Sequence, residues 1–309
     1  MVLSDLRINL LANAEIRDNG TFCLVRDALK RRMGLNADNV RWLTRGYPMS
    51  IDKDPDLWIF VDDGRDDIPM EAPHPSACWL IDTHLGYDTR LAWAKQFDYV
   101  FTAQRDAVFR MTTDGIKRVY WLPLACHPPA QPSLSELLVH PARNEFAGKK
   151  GFDKQHDVVF VGYLNRGVPG DSESHDRVAF LDAMFREFPN FWFTPNCFHE
   201  EMAARYVRGR LGLNLSIKQD LNMRFFEVPS TGTAQLVNSD QEGWDALGFV
   251  DGKHFIGFSS TAEAIEKAHY YLDHPMEREE IARQGHLLVR AEHTYVHRMQ
   301  RMLNVCGIM

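Results

Sequence analysis

The sequence predicts an α/β protein made of two doubly wound, parallel-sheet domains in tandem. Short apolar runs alternate with amphipathic helical stretches over the first 122 residues. A proline-rich segment at 123–156 interrupts that alternation, which then restarts and runs to the end of the chain. Runs that are apolar throughout, rather than at every second residue, mark strands buried on both faces, as in a parallel sheet wrapped by helices.

In the first half, residues 6–11, 40–43, 57–61, 78–81, 99–102 and 119–122 read as strands. Residues 22–32, 91–97 and 105–111 carry helical periodicity. The interrupting segment holds Pro123, Pro128, Pro129, Pro132 and Pro141 and ends in Lys149, Lys150 and Gly151, which reads as a linker with one short helix at 133–139. In the second half, residues 157–161, 190–193, 211–216, 234–237 and 254–258 read as strands. Residues 176–188, 200–208, 222–231, 261–272, 276–291 and 295–305 read as helices. The expected division is a first domain over 1–130, a linker over 131–156, a second domain over 157–292, and a last helix over 293–309 that packs back on the first domain.

Composition narrows the function. The 309 residues are 45% apolar and 25% charged, ordinary values for a folded globular protein. Lys and Arg total 35 against 42 Asp and Glu, a net charge of -7, which argues against a nucleic-acid surface spread over the whole protein but not against a local basic pocket. No apolar run approaches the ~18–20 residues of a membrane span. Residues 8–14 mimic a signal peptide, but the apolar core is short and flanked by Asp5 and Arg7, so a first strand is the better reading. The five cysteines are odd in number and far apart, with no C-x-x-C, which fits a reduced, cytoplasmic protein without a zinc site.

Ligands of open α/β sheets bind beyond the carboxyl ends of the strands, so the segments after each strand are the candidates. After the first strand, Asn13, Glu15 and Asn19 form a polar loop, read either as a cleft lining or as an ordinary turn into a helix. The cluster Asp62, Asp63, Asp66 and Asp67 around Gly64 invites a hard metal, but it reads first as a solvated turn, and no metal is expected. Asp82 and His84, two apart at a strand end, suit acid–base work or sugar hydroxyls; the alternative is a helix cap at Asp82. The segment Gly162, Tyr163, Asn165, Gly167 and Gly170 before the helix that Asp176 and Arg177 open fits phosphate, although its spacing matches neither a dinucleotide nor a P-loop fingerprint.

The richest segment is 211–239. Its polar loop carries Lys218 and leads to a helix bearing Asn222, Arg224 and Glu227, which stops at Thr231-Gly232. Glu227 stands between Phe226 and Val228, and a buried carboxylate needs a partner or a ligand. One reading is an internal pair with Arg224, which shares its helical face; the other is a carboxylate for ribose hydroxyls beside an arginine for a diphosphate.

This segment, N-M-R-F-F-E-V-P-S-T-G-T-A-Q-L-V, resembles the C-terminal signature of CgeB-like glycosyltransferases, relatives of the retaining group 1 enzymes. The likeness extends to D-V-V-F-V-G at 157–162, the paired helices at 262–285, H-T-Y-V-H-R-M at 293–299, and C-W-L-I-D-T-H and F-D-Y-V-F-T-A-Q in the first half, so it covers most of the chain. It implies a GT-B fold: two Rossmann-like domains facing across a cleft, with the nucleotide sugar on the second and the acceptor on the first. The implied activity is metal-independent, retaining sugar transfer from a nucleotide-diphosphate sugar, UDP-sugar favoured, to a polysaccharide, protein, nucleic acid or small molecule, with no other cofactor. The candidate donor residues are Gly162, Tyr163, Asn165, Arg177, Lys218, Asn222, Arg224, Glu227 and Gly232, of which Glu227 matches the glutamate that the resemblance places at the ribose. The candidate catalytic pair, read from its place at a strand end, is Asp82 and His84, with Asn13, Glu15 and Asn19 of the first loop on the acceptor side. Relatives often carry a second acid eight positions before the glutamate; here that position is Gln219. Two other readings stay open: a non-catalytic nucleotide- or sugar-binding module, and a sugar-nucleotide epimerase of the same fold.

Overall fold

A computed structural model of the chain describes residues 5–11, 20–35, 40–43, 54–62, 72–139, 154–162 and 172–309. The chain divides into two compact units, Met1–Leu124 with Tyr295–Met309, and Ala125–Thr294.

In the first unit, strands β1 (Ile8–Leu11), β2 (Val40–Leu43), β3 (Leu57–Val61), β4 (Ser76–Leu80), β5 (Tyr99–Thr102) and β6 (Val119–Trp121) form one sheet in the order β2-β1-β3-β4-β5-β6. All pairings are parallel. Every residue of β4 is buried, which is why its sequence lacks a polar alternation. Helices α1 (Thr21–Asp27), continued by a π-helical turn, α2 (Tyr87–Ala94) and α3 (Asp106–Thr113) cover the sheet. Phe60, Cys78, Leu80, Trp93, Val100 and Met111 form one of its core clusters. The last helix of the chain, here α10 (Tyr295–Val305), belongs to this unit and packs on α1 and the π-helical turn. Its Tyr295 ring lies 5.8 Å from that of buried Trp79, and Arg298 Nε donates to Pro123 O at 2.8 Å.

In the second unit, α4 (Leu134–Val139) precedes strands β7 (His156–Val161), β8 (Phe191–Thr194), β9 (Gly209–Asn214), β10 (Ala234–Asn238) and β11 (Ile256–Phe258). The sheet order is β11-β10-β9-β7-β8, again all parallel. Alternate residues face opposite sides. Val158, Phe160, Leu211, Leu213, Leu236 and Phe258 pack against α5 (Ser172–Glu187) and α8 (Thr261–Asp273). Val159 and Val161 pack against α6 (His199–Tyr206) and α7 (Arg224–Ser230). Helix α9 (Pro275–Glu292) closes the unit against α7 and β10. Among the described residues no helix is long and apolar enough to cross a membrane.

Several expectations change: α5 begins at Ser172 instead of 176, and α2 at Tyr87 instead of 91. The final strand starts at Ile256 instead of 254, because Asp251 Oδ1 accepts from Gly257 N at 2.7 Å and ties the preceding residues into a turn. Residues 131–139, expected at the start of a linker, are pinned to the second unit. Arg290 of α9 donates to Gln131 O at 2.9 Å and to both oxygens of Glu136 at 2.9 and 2.8 Å. Prolines there mark the loss of regular structure, not the loss of packing.

Gly285 lies where α9 crosses the loop before β11, and a Cβ there would stand 2.4 Å from His254 O. In an open helix Gly→Ala stabilises by about 1 kcal/mol. Here Gly285→Ala should destabilise by about 1–3 kcal/mol through overpacking. A melting temperature at or above that of the unaltered protein would contradict this packing.

Candidate active site

The parallel strands of the second unit bring the loops after β9, β10 and β11 to one edge of the sheet. There they line a cavity of about 800 Å³ with Asp176, Arg177 and Phe180 of α5 and Ser260 and Thr261 at the start of α8. The wall after β9 is Leu215, Ser216, Ile217, Lys218 and Gln219; the wall after β10 is Asn238, Ser239 and Asp240. Lys218 and Gln219 both adopt left-handed backbone, with φ 51° and 56°. Such a conformation costs a non-glycine residue about 1–3 kcal/mol and persists only where its surroundings impose it. Asn238 imposes it by accepting from Ser216 N at 2.8 Å and donating to Ser216 O at 3.3 Å. Glu242 N adds a bond to Gln219 O at 3.0 Å.

Arg177 leans over the Phe160 ring at 5.4 Å and donates from Nη1 to Leu215 O at 2.6 Å. Gly162 makes room for it: a Cβ there would stand 2.9 Å from Phe160 and 3.4 Å from Arg177 Nη2. Burial and the nearby Arg224 lower the Arg177 pKa to about 10. Arg224 opens α7 on the other face of the sheet. Among the described residues, the Nε atoms of Arg177 and Arg224 are both buried without a hydrogen-bond partner. Arg177 lies beside β7 and the end of β9, within electrostatic reach of Arg224. From β7 the chain runs outward to β8 and then returns to β9, so this is the switch point at which doubly wound sheets bind ligands.

Glu227 is 6% exposed on α7. Its hydrogen-bonding neighbour is Gln131, whose Nε2 donates to Oε1 at 3.2 Å. Burial pushes its carboxyl up to about 7, against the pull of Arg224.

The other expected donor residues separate. Lys218 lines the cavity. Asn222 exchanges amide hydrogen bonds with Asn214 at 3.0 Å and accepts from Phe225 N at 3.1 Å, so its side chain caps α7. Gly232, at φ 80°, ends α7 just before β10 and therefore sits at the amino edge of the sheet, away from the cavity. Tyr163 and Asn165 lie outside the described residues, as do Asn13, Glu15 and Asn19.

Asp82 and His84 stand on a turn after β4, at the carboxyl edge of the first unit's sheet. Asp82 is not the cap of α2: that helix starts at Tyr87 with Gly86 at its N-cap, and Leu85 N closes the turn onto Asp82 O at 3.0 Å. Asp62 of the acidic cluster is fully buried and paired with Arg90 Nε at 2.7 Å, so it is a counter-ion. The rest of that cluster lies outside the described residues. Sequence reasoning missed Asn238, Asp240 and the 259–261 wall, because only the strand order brings them to the cavity.

Comparison with known proteins bears on the family and the fold. The family model described as glycosyl transferase-like matches residues 145–304, more than half of the chain. No curated protein matches. Among solved structures, HepE of Anabaena in complex with UDP and glucose superposes with a TM-score of 0.61 at 11% identity, covering 98% of this chain and 100% of that one. Sucrose-phosphate synthase of Thermosynechococcus elongatus gives 0.57 at 11% identity, with 97% and 98% covered. An alpha-glucosyltransferase in complex with UDP and a 13-mer DNA containing an HMU base gives 0.61 at 10% identity, with 98% and 99% covered. These likenesses give the two-unit α/β architecture, the GT-B fold. With more than half its length matched by the family model, the chain belongs to the glycosyl transferase-like family and is a glycosyltransferase.

Proposed function

We propose that the protein moves a sugar from a nucleotide-diphosphate sugar, UDP-sugar favoured, to an acceptor, in a metal-independent, retaining transfer of the CgeB-like kind. The observation that carries this is the pair Arg177 and Arg224, two adjacent cations with buried Nε–H donors. Like charges held together in a poorly solvated place repel, and an anion with several acceptor oxygens removes that repulsion. A diphosphate has the charge and the oxygens. In the transfer the bond from sugar to diphosphate breaks and negative charge grows on the leaving oxygen, where fixed guanidinium groups stabilise it without reorganising. Glu227 takes the ribose hydroxyls, Lys218 and Gln219 flank the sugar, and Asp82 and His84 handle the acceptor proton. No cofactor beyond the nucleotide sugar is invoked.

Calorimetry with UDP tests the cationic pair. Arg224→Ala or Arg177→Ala should weaken UDP binding by roughly 10- to 100-fold, the loss of about 1.5–3 kcal/mol that hydrogen bonds to charged groups supply. Lysine at either position should recover only part, lacking the planar fork. Unchanged affinity in a folded variant counts against the diphosphate site.

Glu227→Gln should separate binding from stability. The folded pKa of Glu227, about 7, lies above its ordinary 4.5. The stability it contributes is therefore fully present below pH 4.5 and is lost as pH rises through 7, by an amount on the order of 3 kcal/mol. Glu227→Gln should flatten this fall between about pH 4.5 and 7 while weakening UDP binding. A variant with the original pH profile would refute the buried carboxyl, and one with unaltered UDP affinity would refute the ribose role.

A further inference from the structure

The turn that carries Asp82 and His84 is gripped from three sides by buried polar side chains. Gln104, following β5, reaches across to it: Nε2 donates to Ile81 O at 2.6 Å, and Oε1 accepts from Thr83 N at 3.1 Å and Thr83 Oγ1 at 2.8 Å. Asp62, following β3, accepts from Ile81 N at 3.3 Å and from Arg90 Nε at 2.7 Å. Arg90 in turn donates to Gly86 O at 3.3 Å, on the far side of the turn. A Cβ at Gly86 would stand 2.7 Å from Arg90 Nη1, so a side chain there would press on the guanidinium end of the grip. Asp62 is 0% exposed, Thr83 1%, Arg90 5% and Gln104 6%.

These bonds do little that the sheet needs. They converge on the backbone of residues 81, 83 and 86, outside the strand ladder. A buried ion pair such as Asp62–Arg90 seldom stabilises a fold more than apolar side chains of the same volume would. What it supplies is a fixed geometry, and that geometry is of the turn that presents Asp82 and His84.

We infer that Gln104, Thr83 and the Asp62–Arg90 pair are positioning residues for the transfer reaction, holding the Asp82–His84 turn in its working geometry. The inference rests on the reading of Asp82 and His84 as the groups that handle the acceptor proton. A misplacement of about 1 Å at a reacting group costs on the order of 100-fold in rate.

The test follows UDP release from UDP-glucose, with water or an added acceptor, alongside UDP affinity and melting temperature. Gln104→Met keeps length and removes all three hydrogen bonds; Thr83→Val removes one and keeps shape; Thr83→Ser keeps the hydroxyl. Gln104→Met and Thr83→Val should lower kcat roughly 10- to 100-fold, with UDP affinity within about twofold, since the nucleotide is assigned to the other unit. Thr83→Ser should restore kcat. In a His84→Ala background, Gln104→Met should lower kcat no further, because residues acting through one another do not add. If His84→Ala and Asp82→Asn are slow while Gln104→Met and Thr83→Val lose only melting temperature, the positioning role is overturned and the reading of Asp82 and His84 survives. If His84→Ala and Asp82→Asn turn over at the full rate, that reading falls and the positioning role falls with it.

Discussion

Burial of both faces of a parallel sheet is the constraint from which the rest of this protein follows. Val158, Phe160, Leu211 and Leu213 are enclosed on one side, and Val159 and Val161 on the other, so neither face of the second sheet has room for polar chemistry. Each crossover also returns the chain in the same direction, so every strand delivers its following loop to one edge. Polar side chains there need not be buried in the core to be held. In the second unit that edge gathers Arg177, Lys218, Gln219 and Asp240; in the first it gathers Asp82, His84 and Gln104.

Electrostatics then separates a built site from an incidental polar edge. Arg177 and Arg224 rise from helices on opposite faces within electrostatic reach of each other, and each bears a buried Nε donor without a partner among the described residues. Glu227, the nearby carboxyl, is raised by burial and hydrogen-bonded by Gln131, so it serves poorly as their counter-ion. A fold selected for stability alone would place a carboxylate between the guanidinium groups. Leaving the charge unbalanced lowers stability and creates the demand for an anion on which the proposed donor site rests.

The strand alternation was legible because double-sided burial writes itself into the sequence as unbroken apolar runs: the ACWL within β4 and the VVFV within β7 are examples. Glu227 was legible as a charge inside an apolar helix; Arg177 reads as opening a helix after a glycine-rich loop, but that helix begins at Ser172 and Arg177 stands in its second turn. The cavity was not, since its walls after β9, β10 and β11 become neighbours only through the strand order, which no local pattern encodes. Asn222 and Gly232 show the opposite failure. Both stand in the family-like segment, yet one caps α7 and the other ends it, duties that cap propensity and left-handed backbone account for without a ligand.

The two units fix their edge loops by different means. After β9, Lys218 and Gln219 are bent into left-handed backbone, and after β8, Asn196 and His199 are too, at φ 52° and 49°. Strain of this kind stores free energy in the loop and must be opposed by the loop's own bonds, such as those from Asn238 to Ser216. The turn after β4 holds no left-handed residue and is fixed by side chains reaching in from β3, β5 and α2. A strained loop can relax when a ligand replaces its internal bonds, whereas a turn gripped by buried partners cannot move without breaking them. That difference matches the two tasks proposed for the edges: a site that closes on a nucleotide sugar needs a loop with somewhere to go, and a pair of groups that must meet a proton at a set distance needs one without.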